Sequence, residues 1–343
     1  MLQTRRLVRS LLSIFVCLAP FGCVTSFQRA AHERPVGYFT NPLVQADWPD
    51  PGILAVKDKA ENRIIYYLVS TGGTFPIKRS TNLIHWQPTG AELMPEGKPA
   101  WAPDGFRNWA PEIHKIGNRY VAYYTASAHA PDAKRPDPLA IGTAWSDHIL
   151  GPYHHLDQPL VPAGEYGTID PTLLSDNGRL YLYWKTDGNC CGGTTNIMAQ
   201  ELEADGLTFK AGSQPQVVLS SDLAWENNLI EAPWLIRRNE WIYLFYSASA
   251  YGVDYKNGIA RARSPLGPFE KKPSPFLVGD DIFRAPGHGS VLNVGNSKNF
   301  VFLHHAFHSW DARSLTLTPL SWQDGWPYVE ASVPRYGTLA YDD

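Results

Sequence analysis

Residues 65–70 read Ile-Tyr-Tyr-Leu-Val-Ser, an apolar, aromatic strand, and the chain writes that phrase again four times. It returns as Tyr-Val-Ala-Tyr-Tyr at 120–124, Leu-Tyr-Leu-Tyr-Trp at 180–184, Ile-Tyr-Leu-Phe-Tyr-Ser at 242–247 and Phe-Val-Phe-Leu-His at 300–304. With Tyr66, Tyr123, Tyr181, Tyr243 and Phe302 as markers, the steps are 57, 58, 62 and 59 residues. A second strand and turn follow in each unit. Ala-Ile-Gly-Thr-Ala-Trp-Ser at 140–146 matches Ile-Ala-Arg-Ala-Arg-Ser at 259–264, and Leu-Gly-Pro-Tyr at 150–153 is echoed by Leu-Gly-Pro-Phe at 266–269. No stretch beyond the N-terminus keeps a helical period. A sandwich needs no such regular step. Five units, each with about four short strands, predict an all-β fold, a five-bladed β-propeller, forming a single domain over residues 36–343.

Composition agrees. The 12 Trp, 17 Tyr and 14 Phe exceed what an ordinary soluble core uses, and suit strands and surfaces that stack on ring-shaped ligands. The 28 Gly and 28 Pro supply many turns. Residues 1–23 read as an export signal: Arg5, Arg6 and Arg9, an apolar run from Leu11 to Ala19, and Gly22-Cys23 as a cut site. Cys23 after a small residue suggests a bacterial lipoprotein, although Pro20 stands where Leu is usual. Membrane attachment is expected only through a lipidated Cys23, and residues 24–35 form a polar tether. The protein is expected to be exported, as a periplasmic, outer-membrane lipoprotein or secreted species. Loss of residues 1–22 removes three of 30 basic side chains, leaving 27 against 33 acidic and a net charge of −6. That balance excludes a nucleic-acid partner and favours a neutral or weakly acidic one.

Each aromatic strand is preceded by a segment marked with proline or glycine. Asp50-Pro51 lies 16 residues before Tyr66, Asp170-Pro171 lies 11 before Tyr181, and Glu231-Ala232-Pro233 lies 12 before Tyr243. In the second unit the slot is Trp109-Ala110-Pro111-Glu112; in the fifth it is Pro286-Gly287-His288-Gly289. On a propeller these slots fall beside the central axis, which brings Asp50, Asp170, Glu231 and His288 together, with Trp109 as a wall. Crowded, partly buried carboxyls drive one another's pKa values apart, so one donates a proton while another stays ionised. Glycoside hydrolysis needs that division. Pro49 and Pro51 are expected to bias Asp50 to an extended backbone. Asp47 reads as a turn or rim residue, and Asp104 and Glu112 as rim or structural acids.

The ordered set of Asp-Pro-Gly-Ile-Leu at 50–54, Trp-Ala-Pro-Glu at 109–112, Asp-Pro-Leu-Ala-Ile-Gly at 137–142, Ile-Asp-Pro-Thr-Leu-Leu at 169–174, Glu-Ala-Pro-Trp at 231–234, Pro-Gly-His-Gly-Ser-Val at 286–291 and Trp-Gln-Asp-Gly-Trp-Pro at 322–327 resembles glycoside hydrolase family 43. The resemblance covers nearly the whole chain after the signal. It implies an inverting enzyme acting on arabinose- or xylose-containing glycans, with an exo-acting α-L-arabinofuranosidase or arabinanase favoured and a β-xylosidase as the alternative. It implies Asp50 as general base, Glu231 as general acid, and Asp170 as the carboxylate that raises and orients the acid. Trp109 and His288 are implied to bind substrate. No cofactor is implied for the chemistry, although His288 is a candidate, water-mediated contact to a structural Ca2+ in the central channel.

Other readings differ at named residues. Sucrose- and fructan-cleaving propellers typically carry Asn-Asp-Pro, Arg-Asp-Pro and Glu-Cys where this chain has Pro-Asp-Pro, Ile-Asp-Pro and Glu-Ala. A non-catalytic sugar-binding propeller would not need all three acids. His304, His305 and His308 lack acidic partners at metal-site intervals. Cys190 and Cys191 are adjacent, as a vicinal disulfide or two thiols in a turn, and Asp187 beside them reads as a turn residue, with substrate binding as the alternative. The loops over 126–139 and 247–257 are expected to wall a pocket.

Overall fold

The computed structural model describes residues 37–339 except 61, 98, 103–106, 129–132, 135–137, 295–298, 310–311 and 331. The export signal, the tether and Asp104 lie outside the described residues, as does part of the 126–139 loop. Five four-stranded antiparallel sheets follow one another along the chain. Blade I is Gly52–Asp58, Arg63–Val69, Pro76–Ser80 and Gln87–Glu92. Blade II is Trp109–Ile116, Arg119–Ser127, Leu139–Ser146 and His154–His155. Blade III is Thr168–Asp176, Arg179–Thr186, Asn196–Leu202 and Gln216–Ser220. Blade IV is Ile230–Arg238, Trp241–Ala248, Lys256–Ala262 and Glu270–Lys271, and blade V is Arg284–Asn293, Phe300–Ser309, Ala312–Gln323 and Trp326–Tyr328. The first strands of successive blades neighbour one another and form the inner ring. Val36–Asp343 is one compact unit.

In blades II, III and IV the first two strands are joined by two-residue hairpins. Asn177-Gly178 in blade III supplies φ of 50° and 77°, the positive pair that a two-residue turn between twisted strands requires. The second strand is the aromatic phrase, and its alternation explains why it is apolar throughout. Tyr66 and Leu68 pack into the cluster between blades V and I, whereas Tyr67 and Val69 pack into the cluster between blades I and II. In blade IV, Tyr243 and Phe245 face blade V, while Leu244 and Tyr246 face blade III. Side chains with a period of two thus enter two separate cores, so no face of the strand meets water. Five such clusters sit between consecutive blades. Each fully buried large side chain contributes about 1.5–3 kcal/mol, so stability is spread around the ring.

Polar contacts join the last blade to the first. Ser290 Oγ donates to the Pro51 carbonyl at 2.8 Å and accepts the Ile53 N–H at 3.0 Å, tying the inner strands of blades V and I. Outside them, Tyr38–Thr40 pairs with Tyr336–Thr338, and the Asn41 amide bonds Leu317 in both directions, at 2.8 and 2.9 Å. The carboxylate on Asp50, one residue before Pro51, therefore starts at a fixed seam.

Candidate active site

All five blades open with the same local distortion. The residue before a proline takes a positive φ: Asp50 at 54°, Ala110 at 43°, Asp170 at 56°, Ala232 at 55° and Ala285 at 47°. In blades II to V the ladder slips there by one residue. In blade I the slip lies between the Thr71 N–H to Pro49 bond and the Gly52–Val69 pair. The expected extended backbone at Asp50 is thus corrected to a left-handed one. A bulge places one unpaired residue on the strand, and proline, with no N–H to offer the ladder, is tolerated there. Such a conformation costs about 1–3 kcal/mol and is held because the ladder resumes on both sides. The slot is also finer than the sequence suggests. Asp50 and Asp170 share one register, Glu231 lies one residue earlier with Trp109, and the blade V counterpart is Arg284-Ala285-Pro286. His288, with φ of 42°, stands at a second slip in that strand.

These bulges aim Asp50, Trp109, Asp170, Glu231 and His288 into one cavity of about 370 Å³. That volume lies at the small-ligand end of protein pockets. Lys185, Asp187, Tyr255, His305 and Arg313 complete its polar lining, with Tyr251, Asn189 and Cys190 at the wall. Tyr251 and Tyr255 come from the loop between Trp241–Ala248 and Lys256–Ala262, so the expected 247–257 wall is present in shorter form. Cys190 and Cys191 form the vicinal disulfide.

Asp50 is buried on one side of the cavity. Thr71 donates its hydroxyl to Oδ2 at 2.6 Å, and Arg313 Nη1 lies 3.3 Å from Oδ1. His288 Nδ1 and His305 Nδ1 stand 3.3 and 3.2 Å from the same oxygen. Burial by itself would raise this carboxyl; Arg313, then His288 and His305, outweigh it and hold Asp50 well below the usual carboxylate range. His305 is driven the other way by burial, down to about 4, and is neutral. Asp50 is therefore a buried, ionised carboxylate at neutral pH.

Asp170 and Glu231 behave as a pair. Asp170 Oδ2 accepts the Ala232 N–H at 2.9 Å, one residue after Glu231. Burial pushes Asp170 up to about 7, helped by the charges of Glu231 and Asp50 and opposed by His288 and Lys185. Burial acts on Glu231 as well, but Lys185 Nζ at 2.6 Å from Oε2 and the Tyr255 hydroxyl at 2.8 Å from Oε1 hold it below its ordinary value. Lys185, itself buried, is kept charged by Glu231, Asp187 and Asp170 against the cost of burial. Burial thus favours the protonated form of Asp170, whereas Lys185 and Tyr255 favour the ionised form of Glu231.

The remaining expected residues sort by location. Glu112 is buried against His114 at 2.7 Å, outside the cavity. Asp47 accepts the Arg313 N–H at 2.9 Å, so it supports the site rather than a turn. Asp187 binds Lys185 Nζ at 2.9 Å and lines the cavity, which corrects its reading as a turn residue. The three histidines do not converge: His304 bonds Thr318 and Thr316, His305 faces Asp50, and His308 packs on Phe283. His288 Nδ1 stands beside Asp50 Oδ1, and among the described residues no cluster of three or more His, Cys, Asp and Glu is placed to hold a metal directly.

Sequence reasoning did not pick out Lys185, Tyr255, Arg313 or Thr71. Three of them sit at blade-strand ends or in a connecting loop where no turn residue marks them. The assembled ladder shows what spacing hides: Thr71, Thr125, Lys185 and Ser247 stand opposite Pro49, Trp109, Ile169 and Glu231, and Lys185 is the odd one.

The comparisons with known proteins agree with this geometry. The family model described as glycosyl hydrolases family 43 matches residues 39–327. The extracellular exo-alpha-(1->5)-L-arabinofuranosidase of Streptomyces chartreusis is 27% identical over 303 residues, covering 84% of this chain and 88% of that one. The probable arabinan endo-1,5-alpha-L-arabinosidase C of Aspergillus clavatus is 26% identical over 318 residues, covering 82% and 91%. Among solved structures, a thermostable family-43 glycoside hydrolase aligns with a TM-score of 0.73 at 26% identity, over 89% of this chain and all of that one. The chain belongs to glycosyl hydrolases family 43 and is an O-glycosyl hydrolase.

Proposed function

We propose that the protein is an inverting, exo-acting α-L-arabinofuranosidase that removes arabinose from arabinose-containing plant glycans. The observation that carries this reading is the split of the cavity's carboxyls: Asp50 held ionised beside Arg313, Asp170 pushed up by burial, and Glu231 gripped by Lys185 and Tyr255. Asp50 takes a proton from water as that water attacks the anomeric carbon. Glu231 delivers a proton to the departing glycosidic oxygen, and Asp170 supplies and orients it. Arg313 and Thr71 hold Asp50 for one water, which is where positioning lowers the barrier. Trp109 and His288 contact the bound sugar, and Tyr251 at the mouth meets the next residue of the glycan. The chemistry needs no cofactor.

Arabinose as the sugar, and exo action, are supported by the printed activity of the Streptomyces relative and by the small cavity. Export through residues 1–23 is supported by that relative's description as extracellular, and by a disulfide, which persists in oxidising compartments. An assay panel of nitrophenyl arabinofuranoside, nitrophenyl xyloside and linear arabinan tests the assignment. Turnover of the arabinofuranoside, with single arabinose units released from arabinan, is expected. Preference for the xyloside would replace arabinose by xylose, and sugar binding without turnover of any glycoside would overturn the enzyme reading.

A further inference from the structure

In blades I, II and IV a hydroxyl near the end of the second strand reaches forward to the next blade. Thr71 Oγ1 accepts the Ala110 N–H at 2.8 Å, Thr125 Oγ1 accepts the Asp170 N–H at 3.2 Å, and Ser247 Oγ accepts the His288 N–H at 2.9 Å. Thr125, Lys185 and Ser247 oppose Trp109, Ile169 and Glu231, so they are one position of the repeat. In blade III that position is Lys185. An ammonium group has donors only and cannot accept the Ala232 N–H. Asp170 accepts it instead, and Lys185 Nζ goes to Glu231 Oε2. The hydroxyl that stitches neighbouring blades has been exchanged for a cation at the junction carrying Asp170 and Glu231.

Lys185 is 1% exposed, and a lone ammonium there would be costly. Asp187 offsets that cost, and its own N–H is tied to the Gly167 carbonyl at 2.9 Å. Asp187 stays beside Lys185 whichever of Asp170 and Glu231 holds the proton. The groups facing Glu231 are Lys185, Asp187 and Asp170 from blade III, Tyr255 from blade IV and His288 from blade V, with Asp50 of blade I beyond. Lys185 occupies Oε2 as a donor, which leaves Oε1, beside the rotatable Tyr255 hydroxyl, to carry a proton.

We propose that Lys185, braced by Asp187, is the positioning residue of the proton donor: it fixes the Glu231 carboxyl and sets when that carboxyl carries its proton. This rests on the roles given above to Glu231 and Asp170. The test is a carbon-13 NMR titration of glutamate carboxyls, with Glu231 assigned by Glu231→Gln, in wild type, Lys185→Met and Asp187→Asn, paired with kcat/KM against pH. In Lys185→Met the Glu231 midpoint is expected to rise by about one unit or more, because an opposite charge at this range lowers a carboxyl by about 1–3 units. The alkaline limb of kcat/KM should rise with it.

Asp187→Asn removes a negative charge and leaves the ammonium, so its midpoint should fall. Opposite shifts from the two variants are the signature, since a merely structural role lowers kcat without moving the limb. An unchanged midpoint in folded Lys185→Met, or shifts of the same sign in both variants, overturns the proposal. If Lys185→Met does not fold, the downward shift in Asp187→Asn carries the test, and its absence overturns it. The titration needs no turnover. Midpoints that move as stated without glycoside hydrolysis would refute the glycosidase roles alone, and hydrolysis with unmoved midpoints would refute this one alone.

Discussion

Asp47 and Arg313 lie 266 residues apart, yet the Asp47 carboxylate accepts the Arg313 N–H at 2.9 Å and the Trp48 N–H returns to the Arg313 carbonyl at 3.1 Å. This two-way pairing sets the arginine whose guanidinium stands against Asp50. Arg313 is also the leading influence lowering the Asp50 carboxyl. In Arg313→Ala, the acid limb of kcat/KM is expected to move to higher pH by about one unit or more. Asp47→Ala should give a smaller shift in the same direction, because it loosens the arginine without removing it. A pH–rate profile of the two variants checks both.

Replacing Glu231 by Gln removes the proton donor and keeps the shape. For a glycan leaving group, turnover should fall about 100-fold or more, whereas an activated nitrophenyl leaving group should lose about tenfold or less. Equal losses on both substrates would count against Glu231 as the acid.

Asp170 makes stability depend on pH. Its folded pKa, about 7, lies above the unfolded carboxyl value of 3.8, so the folded state binds the extra proton between the two. This group's contribution is therefore fully present below pH 4 and is lost as pH rises through about 7. Asp170→Asn keeps an acceptor for the Ala232 N–H and has nothing to ionise. At pH 8 its melting temperature should exceed wild type by roughly 2–4 °C, the shift that about 1 kcal/mol produces in a chain of this size. The difference should shrink towards pH 4, as thermal unfolding at both pH values would reveal.

Trp109 lines the cavity one residue before its bulge. Loss of one aromatic face costs about 0.5–1.5 kcal/mol, so Trp109→Ala should lower kcat/KM about 2- to 10-fold, mostly through KM. Steady-state kinetics on the arabinofuranoside would separate the two parameters.

The fold was legible because the aromatic phrase is buried on both faces: Tyr66 and Tyr67 enter different cores, so both had to be large and apolar. Asp50, Asp170 and Glu231 were legible because proline punctuates every inner strand. The backbone at Asp50 was not. Local sterics before proline favour an extended chain, and the bulge that overrides them belongs to the sheet. Lys185, Tyr255 and Arg313 were hidden for a related reason. Each reaches its acid from another strand, loop or blade, and only the assembled ring shows the pairing. In the assembled sheets Lys185 stands out as the one cation at a ladder position otherwise filled by hydroxyl residues in the first four blades.

The central claim is that Asp50 activates a water on the face opposite the leaving group. Proton NMR of the sugar first released from an α-L-arabinofuranoside, recorded before mutarotation, tests it most directly. The account predicts β-L-arabinofuranose as the initial product. Initial α-L-arabinofuranose would contradict it, because retention requires a carboxylate that attacks the sugar itself.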